Sequence, residues 1–222
     1  MFTPLVPRSR YDYFFKVLML GYPGVGMRSL RFAFCDHNSD TYLTAVGSPE
    51  RKVEVVTRII SFGGSKIKLH IWGKLPRDRF RTYNDSNYWH GASGQLLVYD
   101  ISDQNSFLNI TKLMREVVIW MSGTQGVLVG NKCDLTEERT VSTDAGRSLA
   151  ESLRIPFVET SAKDSIGIEE ALFKLTGELL AARFREHNAK QKSSTLFEVL
   201  FAQFGAMVIP GIQSGQRICS LI

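Results

Sequence analysis

The run Val127-Leu128-Val129-Gly130-Asn131-Lys132-Cys133-Asp134, followed downstream by Val158-Glu159-Thr160-Ser161-Ala162-Lys163, decides how this chain is read. Each half is a short apolar run ending in a polar loop. That is the pattern of a strand buried on both faces of a sheet, with its chemistry just past the carboxyl end. An Asp carboxylate such as that of Asp134 accepts two parallel hydrogen bonds from the N1–H and amino group of guanine, a donor pair adenine does not offer. Backbone N–H groups near Ala162 suit the guanine oxygen, and the stems of Lys132 and Lys163 are long enough to lie along a base. Asn131-Lys132-Cys133-Asp134 alone is compatible with an ordinary turn. Two such loops in this order, each behind a strand, point to a base-binding site.

Working upstream, residues 14–20 are an apolar run ending at Gly21, and residues 95–100 are another ending at Asp100. Residues 52–62 and 66–72 are β-rich and separated by Gly63-Gly64, a hairpin signal. Helical spacing covers 25–34, 106–121, 142–153 and 167–184, the last with Ile168, Leu172, Leu175 and Leu179 three or four residues apart. Ser142 and Thr143 are candidate N-caps. A short strand is expected over 156–159. Strands alternating with helices around a single hairpin predict an α/β fold, a mostly parallel sheet covered on both faces.

The composition agrees. A chain of 222 residues with 44% hydrophobic and 22% charged residues is long and apolar enough for a real core, which excludes wholesale disorder. Cys35, Cys133 and Cys219 are far apart and form no CxxC pair, so neither a disulfide framework nor a zinc site is expected, and a reducing compartment is. No secretory signal is expected near the start, and no run reaches the roughly 20 apolar residues of a membrane span. The formal net charge is +5, but nine basic residues lie between Arg51 and Arg81 against only Glu54 and Asp78. That segment reads either as a solvated face or as a surface for an acidic partner. No nucleic-acid motif supports it, so no nucleic-acid partner is expected.

The loop after the first strand reads Gly21-Tyr22-Pro23-Gly24-Val25-Gly26-Met27-Arg28-Ser29. A phosphate loop needs glycines so that backbone N–H groups converge on phosphate oxygens, then a Lys for the phosphates and a hydroxyl for Mg²⁺. Gly21, Gly24 and Gly26 are in place. Met27 and Arg28 stand where the Lys and the hydroxyl belong, and Ser29 is one residue late, about 100° around a helix.

With these motifs the chain resembles Rab-type small GTPases of the Ras superfamily. The resemblance is carried by Tyr11-Asp12-Tyr13-Phe14-Phe15-Lys16, Ile67-Lys68-Leu69-His70-Ile71-Trp72, Val98-Tyr99-Asp100-Ile101 and the two base-site runs, and it covers about residues 11–184. It implies a small-GTPase-like P-loop fold, with a six-stranded mostly parallel sheet and about five helices on both faces. Residues 1–10 are then an N-terminal extension and 185–222 a tail. It also implies a guanine-nucleotide site at Gly21, Gly24, Gly26, Asn131, Lys132, Asp134, Ser161, Ala162 and Lys163. Protein effectors would meet Trp72 and Tyr88, two positions of the Rab aromatic triad, flanked by Arg77 and Arg79. Partial core packing is the alternative for both aromatics.

The departures from the Rab pattern sit at the phosphate end. The metal-binding Thr of the first switch aligns with Ala45, or with Thr44. The Rab run Asp-Thr-Ala-Gly-Gln after the Trp is here Gly73-Lys74-Leu75-Pro76-Arg77. Charged hydrogen bonds contribute roughly 1.5–3 kcal/mol each, so these losses predict weak or absent guanine-nucleotide binding, little contribution from magnesium and no hydrolysis. The expectation is a pseudo-GTPase acting as a membrane-associated interaction module. Alternatives are a divergent GTP-binding switch in vesicle traffic and a constitutive subunit of an assembly. Cys219-Ser220-Leu221-Ile222 reads as a Cys-a-a-X prenylation signal, placing the protein peripherally on an intracellular membrane. Residues 187–195 read as a polar linker. The apolar segment 196–209 reads as a second membrane anchor or a helix docked on protein.

Overall fold

A computed structural model describes residues 11–35, 42–46, 53–74, 86–121 and 123–204. The chain divides into two units, Met1–Ala181 and Ala182–Ile222. The first is built on β1 (Tyr13–Gly21), α1 (Met27–Ala33), β2 (Tyr42–Val46), β3 (Val53–Phe62), β4 (Ser65–Lys74), α2 (Ser86–Trp89) and β5 (Ala92–Asp100). There follow α3 (Gln104–Met121), β6 (Gln125–Asn131), α4 (Thr143–Leu153), β7 (Phe157–Thr160) and α5 (Ile168–Phe204), whose residues from Ala182 onward belong to the second unit. The strands form one sheet in the order β2-β3-β4-β1-β5-β6-β7. β4, β1, β5, β6 and β7 are parallel neighbours, whereas β2-β3 and β3-β4 are antiparallel. The expected α/β fold and its mostly parallel six-stranded sheet are therefore present, with one further strand, β2, at the edge.

Side-chain alternation along the strands makes two cores. Phe15, Val17 and Met19 of β1 and Leu96 and Val98 of β5 point to one face, under Leu30 of α1 and Leu172, Leu175 and Leu179 of α5. Leu18, Leu20, Leu97 and Tyr99 point to the other, under Trp89, Ile110, Leu113 and Ala150. Burial on both faces is why these strands read as continuous apolar runs rather than alternating ones. Gly63 and Gly64 both have positive φ, 57° and 82°, closing the β3-β4 hairpin as the sequence predicts. Ser142 caps α4, its side chain accepting from the Ala145 N–H.

The polar stretch 187–195 departs from expectation. It is helical, part of a continuous α5. From Glu178 to Phe204 there is neither Gly nor Pro, and Ala, Lys, Gln and Glu recur. Polarity suggested a linker, but Ala189, Lys190, Gln191 and Lys192 are strong helix formers, and without Gly or Pro nothing interrupts the helix across the weaker His, Asn, Ser and Thr. Helix α5 takes in residues 196–204, and the rest of the apolar tail segment lies outside the described residues. No helix among the described residues is long and apolar enough to cross a membrane.

The sheet positions the site. From β1 the chain builds one side of the sheet through β2, β3 and β4, then the other through β5, β6 and β7, so the order reverses around β1. In parallel sheets the crevice beyond the carboxyl ends at such a reversal is where ligands bind. Gly21 pairs with Val98, Asp100 with Asn131, and Asn131 with Thr160, so these strand ends lie at one edge.

Candidate nucleotide site

Asn131 ties the edge together. It is 1% exposed. Its Nδ2 donates to the Val25 carbonyl at 2.8 Å, and its Oδ1 accepts from Thr160 Oγ1 at 3.0 Å. One side-chain amide thus joins the glycine loop, the β6 loop and the β7 loop. It also explains Gly26, where φ is +88° and an added Cβ would overlap Asn131 Nδ2. Gly21 is required for a different reason: a Cβ there would stand 2.6 Å from the Val98 carbonyl oxygen.

The residues expected to read a base are brought together. Ser161 Oγ donates to Asp134 Oδ1 at 2.8 Å and accepts from the Asp164 N–H at 3.0 Å, which fixes the carboxylate. Lys163 Nζ lies 4.0 Å from Asp134 Oδ2, on a largely exposed side chain. The Cys133 N–H donates to the Thr160 carbonyl at 3.0 Å, joining the two loops at the backbone. The Cys133 thiol is pushed up by burial and by Glu159 and Asp134, which disfavours its thiolate. Lys132 adopts φ +64°, its Cε stands 3.7 Å from where a Gly26 Cβ would be, and its Nζ pairs with Asp100 Oδ2 at 2.6 Å. Burial pushes the Asp100 carboxyl up, but hydrogen bonds from Lys132 and Ser102 outweigh it and hold the group below the ordinary carboxylate range.

The phosphate end is arranged differently. Met27 is half-buried and packs on the core, its Sδ 3.5 Å from a Cβ position at Gly21. Arg28 is exposed, its guanidinium 5.8 Å from the centre of the Phe32 ring, one helical turn on. Beneath them Arg31 is 2% exposed and ion-paired with Glu54. Its side chain lies against Gly73, with Cζ 2.7 Å from where a Cβ would stand. Sequence reading missed this pair. The one available signal was a charged residue within the apolar run Leu30-Arg31-Phe32-Ala33-Phe34.

The partner-facing residues separate. Tyr88 is 4% exposed and meets Trp89 edge-to-face at 5.1 Å, so it is packed in the core and presents no exposed ring. Trp72 is half-buried, with the Lys16 ammonium 4.2 Å from its ring centre. The Trp72 Nε1 is buried and finds no acceptor among the described residues. Arg58, counted in the basic segment, is buried. It donates to the Phe34 carbonyl at 3.0 Å and pairs with Glu169 at 2.5 Å, bracing α1 and α5 on β3 rather than facing a partner. Arg77, Arg79 and Cys219 lie outside the described residues. Among the described residues no cluster of three His, Cys, Asp or Glu side chains is placed to hold a metal.

Comparison with known proteins agrees with this geometry. Residues 16–181 match the Ras family, from β1 well into α5. The chain is 42% identical over 171 residues to Ras-related protein RIC1 of Oryza sativa subsp. japonica, covering 76% of this chain and 82% of that protein. It is 38% identical over 187 residues to Ras-related protein RABD1 of Arabidopsis thaliana, covering 83% and 88%. This chain belongs to the Ras family, as a Rab-type small GTPase. A further relative of the Rab-type chain is GTP-binding protein ypt1 of Schizosaccharomyces pombe, 37% identical over 171 residues and covering 76% and 81%. In this Rab-type chain Asn131, Thr160, Asp134 and Ser161 are joined at the carboxyl ends of β6 and β7, whereas Arg31 and Glu54 pair beside Gly73 of β4.

Proposed function

We propose that the chain is a guanine-nucleotide-binding, Rab-type protein that works through protein partners in vesicle traffic, peripherally on an intracellular membrane. The observation that carries this is the Asn131 bridge. A buried amide joining the glycine loop to both base loops holds Asp134 and Ser161 ready for a base, and preorganisation of this kind lowers the cost of binding. Asp134 would read the guanine edge, Lys132 and Lys163 would lie along the base, and the loop from Gly21 to Gly26 would carry phosphate. The relative ypt1, a GTP-binding protein, supports the nucleotide part of this reading. Prenylation at Cys219 and an acidic partner for the basic segment belong to it as expectations.

A second reading is favoured by the Arg31–Glu54 pair at Gly73. In it the domain is a pseudo-GTPase, binding nucleotide weakly without turnover and serving as an interaction module. Phosphoryl transfer depends on positioning and charge at the phosphates, and the residues there are Met27, Arg28 and Gly73. Magnesium adds little in this reading. One experiment separates the two: measurement of nucleotide released from the purified protein, followed by single-turnover GTP hydrolysis at high protein concentration. Bound guanine nucleotide with measurable turnover supports a working switch. Bound nucleotide without turnover supports the second reading. Absence of any guanine nucleotide, with none taken up on addition, sinks the first.

A further inference from the structure

Magnesium bound between protein and phosphates needs oxygen ligands at about 2.0–2.1 Å in a near-octahedral array. The Rab pattern gives protein ligand positions to Arg28, to Thr44 or Ala45, and to Gly73. Arg28 carries no oxygen on its side chain, and its guanidinium lies over Phe32. Gly73 has no side chain, and the direction one would take is filled by Arg31. Thr44 and Ala45 lie in β2, which the sheet order separates from β1 by β3 and β4. Three strand spacings place their backbone roughly 14 Å to the side of the glycine loop's strand. These residues do not fit a magnesium ion.

What stands there instead is an ion pair, Arg31 buried and Glu54 partly so, that joins α1 to β3 beside Gly73 of β4. Arg31 is on α1, the helix that follows the glycine loop. Its Nη2 donates to Glu54 of β3, and Glu54 pairs in register with Gly73 of β4. The Arg31 Nε is buried without an acceptor among the described residues. A guanidinium this buried is strongly unfavourable unless an opposite charge holds it, so Glu54 is needed to keep Arg31 where it is. In a metal-switched site the ion links the loop helix to the strand ends. Here a fixed internal charge pair makes that link.

We propose that the Arg31–Glu54 pair replaces the metal bridge, so that nucleotide binding and the conformation of the β3 and β4 ends are independent of magnesium. The proposal deepens the guanine-nucleotide reading and rests on it. It carries a structural corollary. Met27→Lys, Arg28→Ser and Gly73→Asp together do not rebuild a metal site while Arg31 remains, because the Asp would compete with the Arg31 side chain for the same space. Adding Arg31→Leu frees that space, and magnesium dependence follows.

The test uses the full chain. Affinity for a fluorescent GDP analogue is measured in excess MgCl2 and in EDTA. Thermal melting and backbone hydrogen exchange at residues 53–55 and 71–73 are measured under the same two conditions without nucleotide. Wild-type affinity should agree within about twofold between the two conditions, with melting and exchange unchanged. Glu54→Gln should lower the melting temperature by roughly 6–20 °C, because it strands a buried charge, and Arg31→Met with Glu54→Gln should recover most of that loss. The triple variant should stay magnesium-independent, and the variant with Arg31→Leu added should gain at least about a tenfold effect of magnesium. A tenfold magnesium effect in the wild type, slower exchange at those strands with MgCl2, or an unshifted Glu54→Gln overturns the proposal. If Glu54→Gln does not fold, the double variant is compared with the wild type, and its failure to fold as well overturns the pair's role. If no guanine nucleotide binds, the guanine-nucleotide reading fails. The melting and exchange comparison then still decides whether the pair, rather than magnesium, holds these strand ends.

Discussion

Replacing Asn131 by Ala should destabilise the protein through two orphaned groups rather than through lost volume. Asn131 is 1% exposed and makes one bond to the Val25 carbonyl at 2.8 Å and one to Thr160 Oγ1 at 3.0 Å. A buried polar group left without its partner costs about 1–3 kcal/mol. The Thr160 hydroxyl can rotate toward another acceptor, but the Val25 carbonyl is fixed in the glycine loop, so the sum should fall at about 2–4 kcal/mol. For a domain of this size that is a fall of about 4–16 °C in melting temperature. Urea unfolding with an unchanged slope measures it directly. Asn131→Asp sharpens the test, because it keeps the shape and the acceptor for Thr160 but turns an oxygen toward the Val25 carbonyl. It should cost at least as much as Asn131→Ala at neutral pH. A loss below about 1 kcal/mol for Ala, or a nearly neutral Asp variant, would show that the amide does not hold the loops together.

Other expectations follow from the same residues. Because the folded Asp100 carboxyl is held below its ordinary range, its contribution is complete above the ordinary carboxylate pKa and is lost as pH falls through the lowered value. Lys132→Met should therefore narrow its stability gap to the wild type as the solution is acidified, read by urea midpoints across the acid range. A gap that stays constant would remove the Lys132–Asp100 pair from the account. Charge reversal at Arg77 and Arg79 should reduce recovery of an acidic partner in pull-down, with melting unchanged; equal recovery would leave the basic segment a solvated face. Cys219→Ser should move the protein from the membrane to the soluble fraction on cell fractionation, and an unchanged distribution with an unmodified Cys219 would argue against lipid anchoring.

The fold was legible because its signals are local and repeated. Apolar runs ending in Gly21, Asp100 and Gly130 mark parallel strands, and Gly63-Gly64 marks the hairpin. Each depends only on neighbours in the chain. That the Asn131–Asp134 and Ser161–Lys163 loops meet was legible for a related reason: each follows a parallel strand of the same sheet, so both emerge at one edge. Three features were not legible. Edge strand β2 pairs with β3 through backbone contacts that leave no distinct side-chain pattern. The length of α5 was hidden because polarity without Gly or Pro suits a linker and a solvated helix alike. The Arg31–Glu54 pair joins residues 23 positions apart, and a buried charge is recognised only when its partner is seen. Tyr88 shows the opposite limit, since its place in the aromatic pattern suggested exposure and its packing on Trp89 decides against it.

The central claim is that the base end selects guanine through Asp134, and its most direct test is equilibrium binding of GDP and of ADP to the wild type and to Asp134→Asn. Two hydrogen bonds to an ionised carboxylate contribute roughly 1.5–3 kcal/mol each. The wild type should therefore prefer GDP by about 10²–10⁴-fold, and the variant should lose at least about tenfold of that preference. Equal affinities in the wild type, or an undiminished preference in Asp134→Asn, would contradict it.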